Sequence, residues 1–220
     1  MLNALLLLAN YFLGYQLIYP LLAMAVNNSE VFVFTFPAVL ALAVTIVLCR
    51  RKLLHDWRRT DFKQLFSAAL KFAGLLMLSS IITGLFVVLF GGVDTNSNQR
   101  LIEQFMTTGA YRNSMVFYIL VFAPLVEESV FRGAVYQLLG PKARSNRTFL
   151  IVSGLIFALM HVIVGLLEGN VGETWLLLSY GALGGLLAWF YRRHQLNILY
   201  PILAHFFYNG VQLWIMNLYL

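Results

Sequence analysis

The sequence predicts an all-α protein, a polytopic membrane helical bundle of about seven transmembrane helices. Sixty per cent of its 220 residues are hydrophobic, only 11% are charged, and the mean hydropathy is +0.79. A water-soluble domain has about 25% charged residues, so this chain lacks the polar surface that such a domain needs. Its charged residues also fall mostly in short stretches between long apolar runs. We therefore expect residues 1–220 to form a single membrane domain.

Seven apolar segments carry this prediction, each of roughly the 20 residues that a helix needs to cross a bilayer. They comprise residues 2–26, 31–49, 65–90, 115–139, 148–167, 174–191 and 196–219. The first segment has no basic region before it and no small-residue cleavage site, so a retained span is expected rather than a cleaved signal peptide. The chain has one cysteine, Cys49, which excludes an internal disulfide and a CxxC redox pair.

The basic residues between the segments predict the orientation of the chain in the membrane. Eleven of them follow the second, fourth and sixth segments: Arg50, Arg51, Lys52, Arg58, Arg59, Lys63, Lys142, Arg144, Arg147, Arg192 and Arg193. Only Arg100 and Arg112 lie in the opposite loops. The positive-inside rule then places the N-terminus in the cytoplasm. Because the basic residues lie in loops between apolar segments, the net charge of +6 indicates a protein that interacts with a lipid bilayer and not with nucleic acid.

Ionisable side chains inside the apolar segments are the first functional signal. Each costs roughly 2.5–3.5 kcal/mol on insertion into a membrane and is therefore a candidate for function. The residues concerned are Glu127, Glu128 and Arg132 in the fourth segment, His161 in the fifth, and His205 with Asn209 in the seventh. With a rise of about 1.5 Å per residue in a hydrocarbon core of about 30 Å, the two histidines and the first glutamate lie at nearly one depth.

The spacing of these residues separates them into two groups. Glu128 and Arg132 are four residues apart and meet on one helical face, so we expect a structural salt bridge. Glu127 points about 100° away from its neighbour and needs a partner on another helix, for which His161 and His205 are the obvious candidates. His205 and Asn209, also four apart, present an imidazole and an amide from one face.

The chemistry that this set suggests is hydrolysis. A carboxylate in a low-dielectric site binds a proton more readily than in water, which suits it to take a proton from a water molecule. A histidine beside it can hold that water or share the proton. A second histidine and an asparagine can donate to a developing oxyanion. Pro124, one turn before Glu127, can open the helix and make room for water and substrate backbone. Glu127, His161, His205 and Asn209 are therefore the candidate catalytic residues.

A metal centre is the alternative interpretation of the same residues. One glutamate and two histidines resemble the ligand set of a catalytic zinc with an open position. Glu127, His161 and His205 are thus candidate ligands for zinc or another divalent metal. The chain has no HExxH motif, and the three ligands come from three separate helices. Spacing alone does not decide between a metal-bound water and one held by carboxylate and histidine.

Three motifs in order resemble a known family. Residues 126–133 contain EExxxR, Phe157 to His161 form FxxxH, and His205 to Asn209 form HxxxN. In this order on late helices they resemble the CAAX protease and bacteriocin-processing family of intramembrane proteases, also called the Abi family. The resemblance covers about residues 115–210, the expected catalytic core. Residues 1–114 contribute N-terminal helices.

The resemblance implies an all-helical membrane endopeptidase that acts on a membrane-associated peptide or protein. By position in the motifs, Glu127 and His161 would activate water, and His205 and Asn209 would stabilise the oxyanion. The supporting residues would be Glu128, Arg132 and Phe157. Members of the family have been described both as metalloproteases and as glutamate-type proteases, which leaves the metal requirement open.

The length of the chain bears on substrate and location. It resembles the compact bacterial branch of the family, whose members are linked to bacteriocin immunity, peptide maturation and control of sensor kinases. We therefore expect a multi-pass protein of a bacterial plasma membrane, and we do not carry over the specificity for prenylated CAAX substrates. Two alternatives remain: a catalytically silent membrane scaffold that regulates a transporter or sensor kinase, and a small transporter with a proton relay. The chain shows no internal repeat of the kind that many transporters have.

Overall fold

A computed structural model describes residues 1–27, 29–91, 97–145 and 147–219 of the chain, and the side chains of residues 91, 144 and 145 lie outside that description. Every regular element in these ranges is helical. The helices are α1 (Leu2–Val26), α2 (Glu30–Arg58), α3 (Phe62–Gly91), α4 (Ser97–Thr107), α5 (Arg112–Leu138), α6 (Pro141–Ser145), α7 (Thr148–Leu167), α8 (Leu176–Arg193, preceded by the 3₁₀ turn Val171–Trp175) and α9 (Leu199–Met216).

Six helical stretches in the described ranges are long and apolar enough to cross a membrane, which confirms the predicted fold class. They are α1, α2, α3, α5, α7 and the stretch Val171–Arg193. The seventh predicted crossing is the helix α9, whose 18 residues include His205, Asn209 and Gln212. These polar side chains dilute its apolar character, and α9 is not among the six.

Helix α2 ends nine residues later than the apolar segment that predicts it. The apolar run ends at Cys49, yet α2 continues to Arg58, because a polar sequence ends a membrane crossing without ending a helix. Asp61 then caps α3: its Oδ1 accepts the backbone N–H groups of Lys63 and Gln64 at 2.9 and 3.1 Å. The basic amphipathic stretch from Trp57 to Lys71 is therefore divided between the end of α2 and the start of α3.

Helix α5 lies at the centre of the bundle. Of an 18-residue stretch of α5, 61% is buried, against 22% in each of α1, α2 and α3. Helix α5 is π-helical over Tyr118–Glu127 and Ser129–Ala134, as α1 is over Asn10–Ile18. Short π-helical turns are rare and are frequent at functional sites. The helix that carries three of the ionisable residues is thus the most enclosed in the described structure.

Helices α7 and α8 touch backbone to backbone through glycine. A Cβ atom on Gly154 would lie 2.7 Å from the carbonyl oxygen of Gly181, and one on Gly184 would lie 2.9 Å from Cα of Gly154. Small residues allow this close approach, which provides the dispersion contacts that hold helices together in a bilayer. The contact also places the Gly184 carbonyl next to α5.

Candidate active site

One cavity, of about 280 Å³, lies between α4, α5, α7, α8 and α9. All four candidate catalytic residues line it: Glu127, His161, His205 and Asn209. The rest of the lining mixes aromatic, amide and aliphatic side chains: Asn98, Gln99, Ile102, Tyr118, Ile119, Ala123, Phe157, Tyr180, Leu183, Tyr208, Gln212, Leu213 and Met216. Three helices far apart in sequence therefore bring the carboxylate, the imidazoles and the amide to one cavity.

Glu127 contributes the carboxylate of this cavity. Its side chain is 4% exposed, and its Oε2 atom is buried without a hydrogen-bond partner. Buried polar atoms are nearly always partnered, and an exception at a cavity wall is typical of a catalytic group or a water site. Among the described residues, neither His161 nor His205, the expected partners on other helices, donates a hydrogen bond to this oxygen.

Glu128 instead connects two helices. Its Oε2 is 3.0 Å from Nε of Arg132, and its Oε1 is 2.9 Å from Nδ1 of His205. The expected ion pair within α5 is therefore present, as a close charge contact in which the Nε–H is not directed at the oxygen. The contact with His205 was not expected, because spacing assigned Glu128 to Arg132 alone. A carboxylate has two oxygens and can serve both partners.

Arg132 is fully buried, and three contacts fix its position. Besides the ion pair, its Nη2 donates to the Gly184 carbonyl at 3.1 Å, and its guanidinium lies 4.9 Å from the ring centroid of Phe157. A desolvated guanidinium gains from such a cation–π contact. Phe157 also lies 4.3 Å from the His161 ring and 6.2 Å from the His205 ring, measured between centroids. The aromatic residue of the FxxxH motif thus touches the charged pair and both imidazoles.

Hydrogen bonds define which nitrogen of each imidazole faces the cavity. Nδ1 of His161 is 2.8 Å from the Phe157 carbonyl, an acceptor, so Nδ1 carries the proton. The Nε2 atom of neutral His161 then has a free lone pair. The ring also stacks on Tyr180, at 4.5 Å and 26°. By the same argument Nδ1–H of His205 donates to Glu128, which leaves its Nε2 for the cavity.

Asn209 is held by the π-helical part of α5. Its Nδ2 donates to the Ile119 carbonyl at 2.9 Å. An amide nitrogen has two N–H groups, so one donor of Asn209 remains for a group in the cavity. His205 and Asn209 lie one turn apart on α9 and line the same wall, as their spacing predicts.

The described residues do not form a preformed metal site. No group of three or more histidine, cysteine, aspartate or glutamate side chains is placed so that it could hold a metal ion. The candidate ligands Glu127, His161 and His205 are among the side chains concerned. The chemistry of that donor set suits zinc, but the placement of the three side chains does not fit a metal ion.

Several cavity residues had no distinct signal in the sequence. The Tyr208 hydroxyl is 2.8 Å from Oγ of Ser80 on α3 and accepts a hydrogen bond from Nε2 of Gln212 at 3.0 Å. Gln212 follows Tyr208 by four residues, so an extended polar stripe on α9 was the available clue. Tyr180 has no such clue, because one tyrosine in an apolar helix is unremarkable.

The fold and the cavity together define a multi-pass membrane protein with acid, imidazole and amide groups in one cavity between its helices. Residues 109–211 match the family model described as type II CAAX prenyl endopeptidase Rce1-like. This part of the chain therefore has the sequence pattern of that family, and the predicted resemblance is confirmed. The match supports an intramembrane endopeptidase. No curated protein and no solved structure matches the chain.

Proposed function

We propose that the protein hydrolyses a peptide bond of a membrane-associated peptide or protein, with a water molecule activated by Glu127 and His161. The observation that carries this proposal is the cavity of about 280 Å³, which three helices line with a carboxylate, two imidazoles and an amide. The unpartnered Oε2 of Glu127 adds to it, because a buried oxygen without a partner is suited to accept a hydrogen bond from water.

The proposed reaction begins with proton transfer. Glu127 takes a proton from water while Nε2 of His161 accepts a hydrogen bond from the same molecule and orients it. The water oxygen forms a bond to the carbonyl carbon of the substrate, whose π electrons move to oxygen. The resulting oxyanion accepts hydrogen bonds from His205 and Asn209. When the C–N bond breaks, Glu127 returns its proton to the departing amine.

Glu128 acts as a positioning residue in this scheme. An oxyanion donor at Nε2 requires His205 to carry protons on both nitrogens, with Nδ1–H held by Glu128. The charges of Glu127, Glu128 and Arg132 sum to −1, and an imidazolium at His205 brings the group to zero. A neutral group costs much less than a charged one in a low-dielectric interior. Glu128 therefore both orients His205 and supports its charge.

The biological setting follows the bacterial branch that the chain resembles. We propose a multi-pass protein of a bacterial plasma membrane with its N-terminus in the cytoplasm. Bacteriocin self-immunity, peptide maturation and signalling are the processes in which such an activity would serve. The alternative is a catalytically silent scaffold that regulates a transporter or sensor kinase, and it predicts binding without cleavage.

A cleavage assay separates these possibilities. Purified protein in liposomes is incubated with a library of membrane peptides, with and without a chelator, and products are identified by mass spectrometry. Glu127→Gln keeps the size of the side chain and removes the base, so we expect a loss of about 10²–10⁴-fold in kcat/KM. Glu30→Gln, at an exposed acid that does not line the cavity, is the matched control and should retain activity.

The outcomes have distinct meanings. Cleavage by neither wild type nor Glu127→Gln, with peptides still bound, favours the silent scaffold. Cleavage that survives the loss of Glu127 contradicts the proposed base. Cleavage that a chelator abolishes and zinc restores replaces the metal-free reaction with a metal-assisted one.

A further inference from the structure

A second groove lies at the end of the bundle that the basic residues predict to be cytoplasmic. It encloses about 590 Å³ between α3, α8 and the loop from α8 to α9, and it shares no lining residue with the candidate active site. Polar and basic residues line one part, and aromatic and aliphatic residues line the other: Arg59, Gln64, Ala68, Lys71, Phe72, Leu75, Trp189, Phe190, Arg193, His194, Gln195, Asn197 and Tyr200.

The charged part of the groove is positive. Arg59 is paired with Asp56 at 3.1 Å, and within the described ranges no ion pair joins Lys71 or Arg193 to a carboxylate. Burial lowers the pKa of His194, and the charge of Arg193 lowers it further, so this imidazole is neutral near pH 7. Lys71 and Arg193, both exposed, are thus two uncompensated cations at one mouth.

The apolar part of the groove is preformed and open to the bilayer. The rings of Phe72 and Phe190 are parallel with centroids 3.9 Å apart, and the Trp189 ring lies 5.9 Å from Phe72 at an interplanar angle of 24°. Leu75 and Trp189 are 41% and 44% exposed. From Lys71 to Leu75 the lining face of α3 extends about 6 Å at 1.5 Å per residue, and Trp189 continues the apolar wall from α8. A hydrocarbon chain can lie along this wall while its polar end remains at the basic mouth.

The loop that closes the groove has a strained backbone. Gln195 and Leu196 have φ values of 54° and 59°, a left-handed conformation that non-glycine residues rarely adopt. The end of α2 holds them there: Arg59 donates to the Gln195 carbonyl at 3.0 Å, and Lys52 donates to the Leu196 carbonyl. Strain of this kind persists only where surrounding contacts impose it, and it is frequent at ligand clamps.

We propose that this groove binds an anionic phospholipid, with its phosphate at Lys71 and Arg193 and one acyl chain along Phe72, Leu75 and Trp189. Basic pockets between membrane helices on the cytoplasmic side suit anionic headgroups, and a guanidinium forms charge-assisted hydrogen bonds with phosphate oxygens. The combination of two free cations with an apolar wall distinguishes a lipid from a soluble anion. This proposal is independent of the endopeptidase activity.

Lipid binding is measured by native mass spectrometry of the full-length protein in detergent. Phosphatidylglycerol, phosphatidylcholine and inorganic phosphate are titrated separately. The double variant Lys71→Gln/Arg193→Gln should bind phosphatidylglycerol about 25-fold more weakly than wild type, since each charge near a membrane surface contributes about 1 kcal/mol and 1.4 kcal/mol is tenfold. Arg58→Gln, an exposed base at the same end but outside the groove, is the control and should change nothing.

A fluorescence experiment locates the bound lipid. Phosphatidylglycerol with brominated acyl chains should quench the emission of wild type more than that of Trp189→Phe. Equal quenching in the two proteins would place the lipid elsewhere and overturn the proposal. An equal loss of affinity in Arg58→Gln would reduce it to general surface electrostatics. Binding of inorganic phosphate as tight as that of the lipid would assign the site to a free anion instead.

Discussion

The buried pair of Glu128 and Arg132 gives the sharpest test of how the central helix is held. Neither side chain is exposed to any extent, and the pair is shared with His205 and Phe157. Arg132→Met removes the cation and keeps most of the volume. It leaves the Glu128 carboxylate buried with His205 as its one remaining partner among the described contacts. Removing one member of a buried pair costs about 3–5 kcal/mol, so we expect that loss in the free energy of unfolding.

The reciprocal change tests the same pair from the other side. Glu128→Gln leaves the guanidinium with the Gly184 carbonyl and the Phe157 ring, and it should cost a similar free energy. The double variant Glu128→Gln/Arg132→Met removes both charges of the pair, so neither is left buried without its partner. Its loss should therefore be smaller than the sum of the single losses by about 2–3 kcal/mol, the upper part of the range for interacting residues.

Reversible unfolding in mixed micelles titrated with sodium dodecyl sulfate, followed by tryptophan fluorescence, provides the free energies. Arg112→Met is the control, because Arg112 is exposed and its contact is a hydrogen bond to Asn217. That variant should change stability by no more than about 0.5 kcal/mol. If the loss of the double variant equals the sum of the two single-variant losses to within about 0.5 kcal/mol, the two residues do not act as a unit.

Three further predictions concern the framework around the site. Gly184→Ala places a Cβ atom 2.9 Å from the α7 backbone and should lower the free energy of unfolding by about 1–3 kcal/mol. At Gly74 a Cβ atom meets nothing within 4 Å, so Gly74→Ala is the control and should be neutral or stabilising. The same titration with sodium dodecyl sulfate measures both variants. Glu173→Ala removes a fully buried acceptor, 2.7 Å from the first N–H of α4, so amide exchange in α4 should become faster while that in α7 does not. Asp56→Ala removes the acceptor of the Ile198 N–H at 2.8 Å and should cost about 1.5–3 kcal/mol; unchanged amide exchange at Ile198 would contradict its role.

Much of the fold follows from the apolar pattern, because a bilayer requires long apolar runs to be helical. The predicted segment 148–167 coincides with α7, and the first segment coincides with α1. Helix α2 extends well past its predicted end, since hydropathy reports where a crossing stops and carries no information on where hydrogen bonding stops. The π-helical winding of α5 was not predicted, because it depends on how neighbouring helices pack and not on residue type.

Depth and spacing select four residues that all line one cavity, and the contact between Glu128 and Arg132 follows from their separation of four. The contact between Glu128 and His205 could not be predicted, because it depends on the rotation of α9 against α5. The catalytic roles of the four cavity residues stay predictions until cleavage is measured.

The π-helical winding of α5 also limits which changes in length the gene can tolerate. A π-helical turn holds one residue more than the α-helical turn it replaces, because its hydrogen bonds join residues five apart. Adding a single residue between Tyr118 and Glu127, where the turns already hold this extra residue, would rotate one side of α5 relative to the other by about 100°. Glu127 and Ile119, the carbonyl partner of Asn209, would then no longer face the same cavity. A deletion in this segment can be absorbed by relaxation of a π-helical turn to an α-helical one, whereas an insertion alters the register of the whole site.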